Sequence, residues 1–345
     1  MKYHLIVQAL SLSLTIFDAL ASPTTSPQVS RQISSWKTLA PIPTGPIHEH
    51  STVLLSPTQL VTVGGVLQSG GVINSVYLYD IPSDSWKKLA PLPVAINHAN
   101  AAAVDGKLYV LGGMIVSGGN WVGTPRSWIY DPNVGDKWTP LDPMPASETA
   151  RGSAVVGVHN GTIWLVSGKT GSGTNGKSVP AVSAFDTKTK TWVVVPEKAR
   201  EIPEGRDHGG GGVVGDKFYQ IGGSLGPIEN RKDTVFVLDL KDGGTKGWVT
   251  AAGKMPTPRR GFATGQVGSV FYTFGGEGNP DLKYNGVFEE VEAYDTAADT
   301  WRRLSPMGIP RHGSSAVSVG GKVYIPGGGT ASGMPCTDKF DVFTP

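Results

Sequence analysis

At 345 residues and a formal net charge of +2, the chain is close to electroneutral. Its Lys and Arg are scattered, which excludes the basic stripe that a nucleic-acid partner requires. A lone cysteine, Cys336, excludes an internal disulfide, so packing and strand pairing must hold the fold.

In chain order, Met1 to Ala21 reads as a secretory signal peptide. Lys2 gives the basic start, Leu5 to Phe17 the apolar core, and Ala19-Leu20-Ala21 the cleavage signal before Ser22. Cleavage after Ala21 predicts a secreted chain, and no later stretch reaches the ~20 apolar residues of a membrane span. Residues 22–35, carrying Pro, Ser and Thr, read as a flexible lead-in. Next comes Trp36-Lys37-Thr38-Leu39-Ala40-Pro41, nearly repeated at Trp86-Lys87-Lys88-Leu89-Ala90-Pro91. Asn160-Gly161-Thr162 is a glycosylation sequon, with Asn160 the expected acceptor.

The repetition continues to the end. Trp recurs at Trp36, Trp86, Trp138, Trp192, Trp248 and Trp301. A Gly pair recurs at Gly64-Gly65, Gly112-Gly113, Gly222-Gly223, Gly275-Gly276 and Gly327-Gly328, with Ser167-Gly168 as a degenerate copy. Between them stands an aromatic-Asp pair such as Tyr79-Asp80, Tyr130-Asp131 or Tyr294-Asp295. Each copy predicts four short antiparallel strands, too small to bury both faces except by stacking on its neighbours. From Trp36 onward the pattern resembles the kelch repeat, a unit of about 50 residues that forms one propeller blade. The fold expected is all-β: a six-bladed kelch-type β-propeller over residues 36–345. The chain begins with a fourth strand and ends at Phe340-Asp341-Val342-Phe343 after three. An N-terminal strand is therefore expected to complete the last blade and close the ring.

By position, the kelch resemblance implies two loop sets at the ligand face. The first holds His48, Glu49, His50, Asn97, His98, Arg151, Arg206, Asp207, His208, Arg260, Arg311 and His312. The second adds Gln68, Met114, Trp121, Lys169 and Glu277, with Phe262 as a further apolar wall. His50, His98 and His208 each stand fourteen residues before the first Gly of their own pair, which predicts one shared rung in three blades. His, Asp and Arg suit proton transfer and anion binding, so His50, His98, His208 and Asp207 are the expected catalytic groups and the others substrate-binding. His159 alone falls on the opposite face.

Three histidines on separate blades of a sixfold ring are not expected to converge on one ion, so neither metal nor other cofactor is expected. The chain lacks the Tyr-His copper set of galactose oxidase and the iron motif of nitrile-specifier proteins, although both families are kelch propellers. In size, export signal, blade number and site character it resembles the secreted fungal hetero-Diels–Alderases of tropolone–sesquiterpenoid biosynthesis. That resemblance implies a monomer acting on a small molecule, dehydrating a hydroxymethyl tropolone and guiding capture of the quinone methide by a terpene alkene. Another lyase or isomerase, and a non-catalytic interaction propeller, are the alternatives.

Overall fold

The structure, a computed structural model, describes Met1 and residues 34–345 apart from 174 and 175. The signal peptide and the lead-in therefore lie outside the described residues, save Met1, Ser34 and Ser35. No helix of the described residues is long and apolar enough to cross a membrane.

Six antiparallel sheets follow one another along the chain. Blade one pairs Ser51–Ser56, Gln59–Val63, Val76–Asp80 and Ser85–Leu89 in sequence order. Blades two to five repeat this meander, and blade three gains Glu201–Arg206 as an extra strand on Val179–Asp186. The first strands of neighbouring blades touch one another in a closed cycle, with blade six returning to blade one. That cycle is the propeller axis.

Burial explains the assembly. The hydrophobic residues form six clusters, and each is shared by two consecutive blades. Val61 and Val63 of blade one meet Leu108 and Val110 of blade two, for example, and Phe340 of blade six meets Tyr79 of blade one. No blade has a core of its own; each buries its two faces against its neighbours. Four of the six repeated Trp add a directional link, because the indole N–H donates to a carbonyl near the end of the preceding blade, whereas those of Trp36 and Trp301 find no partner among the described residues. Trp86 donates to Ala40 at 2.9 Å, Trp138 to Ala90 at 2.9 Å and Trp248 to Ala199 at 3.1 Å.

The ring closes as the sequence predicts. Ser35–Leu39 pairs antiparallel with Cys336–Thr344, with Trp36 opposite Phe343 and Leu39 opposite Phe340. Closure covers the outer edge of Cys336–Thr344.

Three turns carry a further clamp between blades, one of them at Asp136, which accepts from the Tyr130 hydroxyl at 3.0 Å and the Ala90 backbone at 2.8 Å. The Tyr79 hydroxyl donates to Asp84, which also accepts from the Ala40 backbone at 2.9 Å. Tyr294 donates likewise to Asp299, which accepts from Ala252 and Gly253. The tyrosine hydrogen bonds hold the Asp84 and Asp299 carboxyls below the usual carboxylate range. A depressed carboxyl pKa contributes stability above its unfolded value, near 4, and loses it as pH falls through the folded value. The melting temperature should therefore drop below about pH 4. The double variant Asp84→Asn, Asp299→Asn should flatten part of that drop; an identical acid slope would refute the clamp.

Candidate active site at the propeller mouth

The residues that enter each blade's first strand repeat in three layers. The deepest layer is Ile47, Ile96, Arg151, Arg206, Arg259 and Arg311. All four arginines are fully buried. Arg151 donates to the carbonyls of Ser167, Thr149 and Leu165 at 2.6, 2.8 and 3.0 Å. Arg206 is held by Glu204 and by Thr234 Oγ1, and Arg311 by the Lys339 carbonyl and Asp341. These groups tie a blade's inner strands together. Arg151, Arg206 and Arg311, expected among the substrate-binding residues, are thus spent inside their blades and do not reach the mouth.

Two residues later comes the layer that faces the axis: Glu49, His98, Ser153, His208, Gly261 and Gly313. All six have left-handed backbone, with φ between 48° and 63°. They are stitched into a belt around the axis. Glu49 N–H donates to Gly313 O at 2.6 Å, His98 to Glu49 O at 2.9 Å, and Ser153 to His98 O at 3.0 Å. His208 N–H donates to Ser153 Oγ at 3.0 Å, and Gly261 and Gly313 complete the circuit at 2.8 and 2.7 Å. The belt member in blade one is Glu49, which corrects the shared rung expected of His50, His98 and His208. A β-bulge between Leu54 and Ser56 adds one residue to blade one, so counting fourteen back from Gly64 stops one residue short of the belt. His50 instead packs at the seam with blade six, where a Cβ added at Gly327 would lie 3.0 Å from its Cε1, although it still lines the axial channel together with His98 and His208. Burial lowers its pKa to about 4.

His98, His208 and Glu49 converge. The Nε2 atoms of His98 and His208 are 2.9 Å apart, and Glu49 Oε2 is 2.9 Å from His98 Nε2. The residue before each histidine orients it: His208 Nδ1 donates to Asp207 Oδ1 at 2.5 Å, and His98 Nδ1 to Asn97 Oδ1 at 2.5 Å. Asp207 and Asn97 are fully buried, so they hold the histidines without lining the pocket. Ser178 and Ser224 donate to Asp207 in turn, a support that the sequence reading missed. Burial opposes the Asp207 carboxylate, but His208 and Arg260 outweigh it and hold its pKa well down. Glu49 follows the same logic, with burial outweighed by His98.

Above this floor lies a cavity of about 290 Å³. Its lining includes ten of the residues expected there: His48, Glu49, His98, Met114, Trp121, Lys169, His208, Arg260, Glu277 and His312. Arg260 lies 3.0 Å from Glu277 Oε1 and 3.4 Å from His208 Nε2. His312 donates through Nε2 to the Ala331 carbonyl at 2.9 Å and turns Nδ1 toward Glu277 and Glu49. Met114 and Trp121 arrive on an extension of blade two, where Lys107–Ser117 and Asn120–Tyr130 run on past the Gly pair as one long hairpin. Trp121 stands against His98 with ring centroids 5.4 Å apart. Ile228, Gly171 and Gly333 also line the cavity without having been foreseen.

Two further expected members lie elsewhere. Gln68 accepts from the Cys336 backbone N–H at 2.7 Å and from its thiol, joining blade one to blade six. Phe262 lines the axial channel beneath the floor, with the Arg259 guanidinium over its ring. His159 sits at a hairpin turn and contacts Asp216 at 2.9 Å. Asn160 and Gly161 form that turn, both with positive φ, so turn chemistry alone accounts for the Asn-Gly pair of the sequon.

The KLHDC2/KLHL20/DRC7 Kelch-repeats domain matches residues 28–223 and 210–344. The chain belongs to the kelch-repeat family. Among kelch relatives, it is 36% identical over 308 residues to the Kelch-like protein terF of Aspergillus terreus, covering 87% of this chain and 65% of terF. It is 31% identical over 154 residues to an N-(sulfonatooxy)prop-2-enimidothioate sulfolyase of Thlaspi arvense, covering 42% of each. The solved structure of YjhT superposes with a TM-score of 0.70 at 21% identity, over 87% of this chain and 95% of that one, which supports the fold alone. The chain spans less than two thirds of the length of the curated relatives it matches first.

Proposed function

We propose that this kelch propeller is a secreted small-molecule enzyme, and that its mouth carries out a redox-neutral dehydration followed by hetero-Diels–Alder ring closure. One observation carries the enzymatic reading. Blades five and six place glycine in the left-handed belt, whereas blades one, two and four hold Glu49, His98 and His208 there. A side chain in that conformation costs on the order of 1–2 kcal/mol; Ser153 bears that cost in blade three too, and what supports a site is that Glu49, His98 and His208 bring titratable groups to the axis.

The lining suits a substrate with an acidic oxygen and a hydrocarbon part. Arg260 and Lys169 offer cations to a tropolonate oxygen, and Met114, Trp121 and Ile228 offer an apolar wall to a terpene. In the reaction, the hydroxymethyl C–O bond breaks and the hydroxyl leaves as water with one added proton. The tropolone O–H gives up a proton, and a quinone methide results. The alkene then adds across the heterodiene, forming one C–C and one C–O bond, and no electrons enter or leave. In this reading His48 and His312, which flank Glu49 in the cavity lining, supply the proton for the leaving hydroxyl. The sulfolyase relative supports elimination chemistry on this scaffold, which makes another lyase substrate the second reading.

The test is to incubate the purified chain with a hydroxymethyl tropolone and a polyene sesquiterpene. The expected result is faster formation of cycloadduct, with one stereoisomer enriched, than in buffer alone. An unchanged rate and isomer ratio would overturn the cycloaddition.

A further inference from the structure

The floor of the mouth has a feature that acid–base chemistry leaves unexplained. His208 Nδ1 faces a carboxylate, which only accepts, so its proton sits on Nδ1 and its Nε2 carries a lone pair. His98 Nδ1 donates to Asn97 Oδ1, so its Nε2 also carries a lone pair. Yet these two nitrogens face one another at 2.9 Å, with Glu49 Oε2 at 2.9 Å from the first. Three electron-pair donors thus point at one place. Arg260 Nη2 stands 3.4 Å from His208 Nε2, at the long end of hydrogen-bond distance, so it satisfies that lone pair only weakly and leaves it facing His98 and Glu49.

We infer that Glu49, His98 and His208 bind a divalent first-row transition ion through Oε2 and the two Nε2 atoms. Imidazole and carboxylate ligands lie ~2.0–2.1 Å from such an ion, so two ligands at right angles stand about 2.9 Å apart. The His98–His208 and His98–Glu49 separations both have that value, and the three ligand atoms all lie within 4.8 Å of one another. Two histidines and one carboxylate on one side of an ion leave positions open on the other, here toward the cavity. Each histidine also has its remaining N–H held by a buried oxygen, Asp207 or Asn97, which is how ligating imidazoles are oriented. Gly313 has a role in this arrangement, since a Cβ there would lie 2.6 Å from Glu49 Oε1.

His50, His98 and His208 do not share one rung, but Glu49, His98 and His208 do meet. Blade one contributes Glu49 in place of His50, and His98 and His208 meet although blade three lies between their own. The inference deepens the reading above: two adjacent substrate oxygens, as in an α-hydroxyketone, would fill two open positions, and the ion would act as a Lewis acid without redox change.

The experiment is a calorimetric titration of Co²⁺ into the purified, chelator-treated full chain, with metal content measured after gel filtration. One equivalent should bind and stay. Asp207→Asn should weaken binding by about 10–100-fold. The near-isosteric Glu49→Gln and the truncation His98→Ala should weaken it by more, and His159→Ala on the far turn should leave it intact. Failure of the chain to bind Co²⁺, or undiminished binding by Glu49→Gln, overturns the ion. The cycloadduct assay reads the reaction separately. Turnover by metal-free chain overturns the ion and leaves the enzyme. Tight Co²⁺ with no effect on any tropolone leaves the ion and overturns the reaction.

Discussion

A chain that starts at Pro46 is expected to lose cooperative folding. It would lack the strand Ser35–Leu39, whose five residues pair in register with Cys336–Thr344. With the strand go the side-chain bond from Thr38 to Asp341 at 2.8 Å and the bond from Ile42 N–H to Asp338 O at 3.0 Å. Both halves of the seam with blade one go as well, because Ala40 donates to Asp84 and accepts from Trp86. Trp36 packs on Phe343 at 4.9 Å and on Phe274 at 5.6 Å between ring centroids, so its removal opens the core between blades five and six. Each hydrogen bond contributes roughly 0.5–1.5 kcal/mol net, and truncating a buried Trp costs ~3–5 kcal/mol. Trp36 is half-buried, which puts it at the low end of that range. The sum still rivals the ~5–15 kcal/mol by which a typical domain is stable. The exposed edge of Cys336–Thr344 would also invite association between chains. Thermal melting and gel filtration check this. A soluble monomer of unchanged melting temperature would show that the N-terminal strand does not close the ring.

The features that made the fold legible are those that stacking enforces. Each Trp must reach the preceding blade and each Gly pair must let backbone pass closely, so these positions keep step along the chain. At Gly64, for instance, a Cβ would lie 2.2 Å from Ile96 O of the next blade. The site was less legible, for two physical reasons. A one-residue bulge leaves no mark in composition, so His50 took the place that belongs to Glu49. Ile47 and Ile96, standing where the later blades have arginine, carry the signal that would have fixed the register. The other reason is that charge alone does not separate a buried tie from a cavity lining. Arg259 and Arg260 are neighbours in sequence, yet the first is wholly enclosed with Thr273 and Glu292 while the second faces the mouth. Alternation along an extended segment sends them to opposite destinations.

That division predicts opposite behaviour from two substitutions. Glu49→Gln keeps the shape of a side chain on the belt but removes the charge that faces His98 and flanks His48 and His312. Turnover should fall ~10²–10⁴-fold, the scale of a lost proton-transfer or electrostatic group, with little change in melting temperature. Arg151→Ala should do the reverse. It strips hydrogen bonds from the carbonyls of Ser167, Thr149 and Leu165 at the inner strands of blade three. Each buried acceptor left without a donor costs about 1–3 kcal/mol, so the variant should melt far lower. Whatever folds at low temperature should turn over normally, because the guanidinium never faces the cavity. Melting curves and the cycloadduct assay on both variants decide the matter. If Glu49→Gln lowers stability and spares turnover, the belt carboxylate serves the fold, and the reacting centre must be sought among Arg260, Glu277 and His312 on the wall above.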